Sequence, residues 1–282
     1  MTTSAERLYR DRAADSSLRL AGHILLTFIS VVSVFPFLWM CLNVFKDSED
    51  ILRFSLLPRT VTLKNFRDAF SMIPLWGMLK RSFAAAITQT ASQLATGIPA
   101  AYALSHWNFK GKRLISGILV VSWLIPFQAT MVPNYVALVH MGLRDTVLGI
   151  VFPNLASAFA ILTLLRSFLG FPRTIYDAAE IDGAGSMKVL TAVVLPNLKG
   201  AVSSLAVILF INCWNEYFWP LLITRSIEKS TVQIGLRMFM SLEGNLWGPL
   251  LAAALITSLP LLILYMLLQK QIIDSFMKSG IK

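Results

Sequence analysis

The sequence predicts an all-α membrane protein of six transmembrane helices, on three observations. The 282 residues are 56% hydrophobic and only 14% charged, with a mean hydropathy of +0.66, well above a soluble domain. The charges cluster between long runs that contain no Lys, Arg, Asp or Glu. Five runs, Leu20 to Phe45, Ser82 to Phe109, Leu114 to Leu143, Thr146 to Leu165 and Gly244 to Gln269, reach the roughly 20 residues that cross a bilayer. A sixth, Gly200 to Thr224, is broken only by Glu216.

Arg7, Arg10, Arg12 and Arg19 precede the first run as they would in a secretory signal. Its apolar stretch is far longer than a signal core, and no small-x-small cleavage pattern follows, so it reads as a retained anchor. The chain then divides into an N-terminal segment (1–19), a first helix (20–45), an external segment (46–81), a core of five helices (82–269) and a C-terminal tail (270–282). A long loop at about 166–199 belongs to the core. An even number of spans puts both termini on one side. Fourteen of the twenty-five basic residues then lie with the termini, and that modest excess places both ends in the cytoplasm of a plasma (inner) membrane.

The formal charge of +10 does not point to nucleic acid, because the basic residues flank apolar runs and form no stripe with interleaved aromatics. Cys41 and Cys213 each sit inside an apolar run, which argues against a disulfide framework or a thiolate metal site. Prolines recur within the runs at Pro36, Pro99, Pro126, Pro133, Pro153, Pro220 and Pro260. Bundled membrane helices tolerate them, and kinked spans can line a cavity.

The most informative stretch runs from Phe171 to Pro196. Pro172 suits a helix start, Ile175, Ala178 and Ala179 recur at helical spacing, and Gly183 with Gly185 marks a break. Met187, Leu190 and Val194 then form a second apolar stripe before Pro196, so the loop reads as helix, turn, helix. Small Ala178 and Ala179 let a partner approach closely, and Asp177 and Asp182 can accept charge-assisted hydrogen bonds from its arginines. An interfacial helix lying on the membrane surface is the other reading of these residues.

The order Asp177-Ala178-Ala179, Asp182-Gly183-Ala184, Leu195-Pro196 resembles the EAA loop of ABC importer permeases. Ala101-Tyr102-Ala103-Leu104 with Phe109-Lys110-Gly111-Lys112-Arg113, and Trp214-Asn215-Glu216-Tyr217 with Trp219-Pro220-Leu221, are similar to the carbohydrate branch of that family. The likeness runs from about Leu57 onward. Asp177 stands where the family usually has glutamate, one carbon–carbon bond or about 1.5 Å shorter. Gly200 and Arg81 replace a frequent proline and asparagine.

The resemblance implies a type I ABC importer permease fold with a cytoplasmic coupling helix. It implies that Asp177, Ala178, Ala179, Asp182, Gly183, Ala184 and Pro196 dock on a cytoplasmic ABC ATPase dimer. The sequence has no GxxxxGK[ST] phosphate loop, so ATP and Mg are expected on that separate chain, with no cofactor and no enzymatic activity here. Further implied partners are a second permease subunit, making a heterodimer, and an extracytoplasmic solute-binding protein that Arg225 to Trp247 would probe. The tail from Gln269 resembles a family ending that reaches the ATPases; a basic tail against anionic lipid reads equally well.

A sugar pathway needs hydrogen-bonding side chains and flat rings rather than charges. The middle spans offer Gln128, Asn134, Tyr135, Asn154, Asn212, Asn215 and Glu216, with Trp214, Tyr217 and Trp219 beside them. Each has a plainer reading as interfacial belt or helix–helix glue. An ion-coupled secondary transporter would rest on Glu216, His23 and His140 with no inverted repeat to support it. A passive channel would leave the 177–196 spacing without a purpose.

Overall fold

Helices follow the charge-free runs but do not share their ends. The computed structural model describes residues 4–53, 55, 57–241 and 244–279. The side chains of Arg7, Arg10 and Arg12, and of the tail beyond Lys270, lie outside the described residues.

In chain order the helices are α1 (Ser4–Asn43), α2 (Ser48–Ile51), α3 (Lys64–Met72), α4 (Leu75–His106), α5 (Lys112–Leu124), α6 (Phe127–His140), α7 (Val147–Val151) and α8 (Ala158–Leu169). There follow α9 (Arg173–Ile181), α10 (Ser186–Lys188), α11 (Leu195–Asn197), α12 (Lys199–Trp214), α13 (Phe218–Ile223), α14 (Val232–Met238) and α15 (Trp247–Ser279). A π-helical turn, Val189–Val194, joins α10 to α11. Strand structure among the described residues is a short antiparallel ribbon, β1 (Met240–Ser241) with β2 (Gly244–Asn245), in which Met240 faces Asn245.

Two helices, Arg19–Asn43 and Trp247–Lys270, are long and apolar enough to cross a membrane by themselves. Three more candidates arise only when bent pairs are joined: α5 with α6 (92°), Val147–Asn154 with α8 (52°), and Ser186–Asn197 with α12 (81°). The expected unbroken runs 114–143, 146–165 and 200–224 are therefore corrected to broken ones. The first break has a clear cause, because Pro126 has no N–H and forces Ile125 into extended backbone (φ −72°, ψ 118°). Pro36, Pro99, Pro133 and Pro260, in contrast, lie inside continuous helices. α4 reaches about 48 Å at 1.5 Å per residue. Lys80 and Arg81 near its start, and its Gln, Ser and Thr residues, keep it less apolar than the others.

The chain forms two compact units, residues 1–69 with 246–255, and 70–245 with 256–282. In the first, Asn65 Nδ2 donates to the carbonyls of Val44 and Lys46, each at 2.7 Å. Lys46, expected in an external loop, is fully buried; its ammonium donates to Asn43 Oδ1 at 2.9 Å and to the Ser55 carbonyl.

The second unit holds two apolar clusters. One joins Ala101, Tyr102 and Leu104 of α4, Ala160, Ile161, Leu164 and Phe168 of α8, and Leu205 and Leu209 of α12 to Phe171, Tyr176, Val189, Leu190 and Val194 of the 171–194 segment. Small residues let α4 and α8 approach: a Cβ at Gly97 would lie 3.4 Å from Leu164 Cδ1 and 3.7 Å from Ala160 Cβ. The other cluster gathers Ala85, Leu138, Ile150, Val151, Trp219 and Ile223. There a Cβ at Gly149 would overlap the Leu143 carbonyl oxygen. Because backbone cannot rotate aside, Gly149→Ala is expected to cost about 1–3 kcal/mol, read as a lowered Tm of the purified complex.

Candidate functional site

Two features stand out, an amide-rich cavity and the 171–198 segment, and α4 contributes to both. The cavity has a volume of about 520 Å³. Its walls come from α4 (Gln89, Gln93), α5 and α6 (Trp123, Phe127, Gln128, Met131), the break between α7 and α8 (Asn154, Ser157), α12 (Asn212, Cys213) and the turn into α13 (Glu216, Phe218, Trp219). The helix breaks at Ile125–Pro126 and Leu155–Ser157 border it, as expected for kinked spans lining a cavity.

Of the seven expected pathway residues, Gln128, Asn154, Asn212 and Glu216 line this cavity, and Asn134, Tyr135 and Asn215 do not. Tyr135 packs against the second cluster, with the Arg144 guanidinium 5.4 Å above its ring. Asn215 Oδ1 accepts from Gln233 Nε2 at 3.2 Å. Gln89 and Gln93 were missed, although two glutamines four apart in a charge-free run share one helix face.

Glu216 has a backbone role. Its Oε1 accepts the amides of Phe218 (3.0 Å) and Trp219 (3.2 Å) and so caps the first turn of α13. Trp219 is 1% exposed, and its Nε1 donates to the Gly149 and Ile150 carbonyls at 3.1 and 2.9 Å. Asp145 closes the loop between α6 and α7 at φ +57°, accepting from Arg225 N at 2.7 Å and Ser226 N at 3.4 Å. The Arg225 amide is the main reason its carboxyl titrates below the ordinary range; partial burial opposes this, and the Ser226 amide, Lys229 and Arg144 add to it. The clamp's ionic contribution is therefore present above the ordinary carboxylate pKa and is lost as the pH falls through the lowered one. The segment from Arg225 folds back on α4, where Val232 N donates to Ser82 Oγ at 2.9 Å.

In the 171–198 segment Pro172 caps α9, with extended backbone (φ −61°, ψ 127°). The helix ends in a Schellman motif: Ala184 N donates to Ala179 O and Gly183 N to Glu180 O, both at 3.0 Å, with Gly183 at φ +77°. Tyr176 is buried, and Ala179 and Ala184 pack on the first cluster. Asp177, Ala178, Asp182, Gly183 and Pro196 face outward. The expected docking residues thus divide, since Ala179 and Ala184 anchor the segment to its own core. Ile181 and Met187 add exposed apolar surface, 85% and 69% exposed. A hollow of about 140 Å³ beside Asp177 is walled by Phe168, Phe171, Arg173, Tyr176 and His106.

A contact that the motif does not reveal joins this segment to α4. His106 Nε2 donates to Glu180 Oε1 at 3.0 Å. The imidazole stacks on Tyr102 (5.1 Å, 11°) and lies 4.9 Å from Tyr176, whose other face meets Phe171 edge-on at 5.3 Å. Burial, and then the neighbouring Tyr102, raise the pKa of the Tyr176 phenol. Its oxygen has no hydrogen-bond partner among the described residues.

Comparison with known proteins places this architecture. The chain is 28% identical over 260 residues to the arabinooligosaccharides transport system permease protein AraQ of Halalkalibacterium halodurans, covering 90% of this chain and 93% of the relative. It is 27% identical to the sn-glycerol-3-phosphate transport system permease protein UgpE of Brucella abortus (92% and 96% covered), and 25% identical to the lactose transport system permease protein LacG of Rhizobium radiobacter (99% and 99%). A crystal structure of a bacterial ABC transporter involved in the import of the acidic polysaccharide alginate shares the fold, with a TM-score of 0.77 at 20% identity, covering 96% of this chain and 98% of that one. Residues 93–278 match the family model described as binding-protein-dependent transport system inner membrane component. The chain belongs to that family and is the membrane subunit of an ABC importer.

Proposed function

We propose that this chain is one of two permease halves of an ATP-driven carbohydrate importer, and that its 171–198 segment is the coupling knob seated on a separate ATPase dimer. The observation that carries the reading is the two-sided build of that segment. Its inner face is locked into the core shared by α4, α8 and α12, and its outer face presents Asp177, Ala178 and Asp182 to a partner. Such a knob transmits a push from outside to the helices that wall the cavity. The sugar-named relatives and the amide-and-aromatic lining support the cargo class.

Six spans follow when α1, α4, α5–α6, α7–α8, α12–α13 and α15 each cross once, with both termini and the knob in the cytoplasm. ATP and Mg then belong to the ATPase, a similar permease chain completes the pathway, and a solute-binding protein docks on the opposite side. A coupled ion has no need to enter: the carboxylate nearest the cavity, Glu216, is committed to capping α13.

Ala178→Cys, with Cys41 and Cys213 replaced, tests the placement. A membrane-impermeant thiol reagent is expected to label it in inside-out vesicles and not in right-side-out ones, and a short bifunctional linker is expected to join it to the copurifying ATPase. Labelling from the outside, or no crosslink in the assembled complex, sinks the reading.

A further inference from the structure

We infer that the cavity is built for an uncharged, hydroxyl-rich ligand and selects against anionic ones; this rests on the carbohydrate reading above and narrows it. Proteins similar to this chain include transporters named for sn-glycerol-3-phosphate and for an acidic polysaccharide, so the fold itself does not set the charge of the cargo. The lining side chains do. The polar ones are chiefly Gln89, Gln93, Gln128, Asn154, Asn212 and Glu216, and no Lys, Arg or His lines the cavity among the described residues.

The one formal charge at the wall is thus negative. Two backbone amides hold one oxygen of Glu216, which fixes the carboxylate in place. Nearby cations are turned to other tasks: the Arg144 guanidinium covers the Tyr135 ring, and Arg81 Nη1 donates to the Asp145 carbonyl. A phosphate or uronate entering here meets a like charge in a partly desolvated recess, with no counter-charge to offset it.

Hydrogen-bond chemistry gives an independent argument. Gln93 is 5% exposed, and its Nε2 donates to the Asn154 carbonyl at 2.7 Å. That bond fixes the amide orientation and leaves Oε1 buried with no donor among the described residues. An unfilled buried acceptor is costly, and a ligand donor relieves it. A sugar hydroxyl donates, whereas a carboxylate or a doubly ionised phosphate offers acceptors only. Trp123 and Phe159, with centroids 5.9 Å apart and planes 35° apart, supply flat faces for the C–H side of a pyranose.

The test separates this cavity from the binding protein's own preference. The assembled transporter, without added binding protein, is titrated with maltotriose and with its 6-carboxylate oxidation product, and saturation-transfer NMR reads the affinities. The uronate is expected to bind at least ten-fold more weakly. Glu216→Gln, which keeps the capping oxygen and removes the charge, is expected to narrow that gap to within about three-fold. Gln93→Leu is expected to weaken maltotriose at least three-fold. Equal or tighter uronate binding, or a gap unmoved by Glu216→Gln, overturns the inference. ATP-driven uptake of an anionic saccharide by the complete importer overturns it too, and leaves the importer reading standing; absence of ATP-driven uptake of any saccharide overturns both.

Discussion

Gly183→Pro combined with Ala179→Arg is expected to reduce ATP-driven uptake into proteoliposomes at least a hundred-fold, while the chain still inserts in the membrane. Gly183 sits at φ +77° and its N–H is bonded to Glu180 O. Proline fixes φ near −65° and has no N–H, a cost of about 3 kcal/mol or more. Ala179 accepts the Ala184 amide and packs on the first cluster, where an arginine stem overpacks by about 1–3 kcal/mol. Together these shift the intact knob's population by on the order of a thousand-fold, at 1.4 kcal/mol per factor of ten. Residues of the spans are untouched, so resistance of the membrane-bound chain to carbonate extraction should not change. Undiminished ATP-driven uptake would contradict the coupling role, and uptake that instead collapses with a protonophore while ATP stays high would point to a different energy source.

The second large effect concerns Tyr176. Its ring is buried against Tyr102, His106 and Phe171, and truncation of a buried aromatic typically removes about 3–5 kcal/mol. Tyr176→Ala should therefore loosen the knob from α4, lowering uptake per ATP hydrolysed more than ten-fold while ATP hydrolysis continues. Tyr176→Phe should stay near wild type or gain stability, because the hydroxyl that it deletes is buried without a partner. Glu180→Ala should do much less than Tyr176→Ala. The Glu180 side chain is 52% exposed, and ion pairs of that kind contribute about 0–1 kcal/mol. If Glu180→Ala uncouples as severely as Tyr176→Ala, the electrostatic contact rather than the aromatic stack carries the linkage.

The knob was legible in the sequence because its determinants are local. Pro172, Ala179, Gly183 and Ala184 lie within thirteen residues, and the Schellman turn that they build needs nothing from elsewhere. The cavity was legible only in part. Each break, at Pro126, at Leu155–Ser157 and at Asn215–Tyr217, resets the angular phase of the helix that follows, so side chains read as facing one pathway end on different sides. That is why Gln128 and Asn212 reach the cavity while Asn134 and Asn215 do not. The runs also concealed where α4 begins: Lys80 and Arg81 suggested loop, but Arg81 finds the Asp145 carbonyl sixty-four residues away, a partner that only the tertiary fold supplies. The His106–Glu180 contact was hidden for the same reason, although Tyr102 and His106 four apart on one helix face hinted at a shared role.

The wide turn at Val189–Val194 has a consequence for how such transporters diversify. A π-turn houses one more residue than regular winding would, so excising a single residue there lets the coil close up. Everything downstream would then swing by about 100° about the local axis, presenting other side chains than Asn212 to the recess with none of them mutated. Chain length at that one spot acts as a dial on selectivity, and a deletion scan across it would change what is carried before it changes whether anything is.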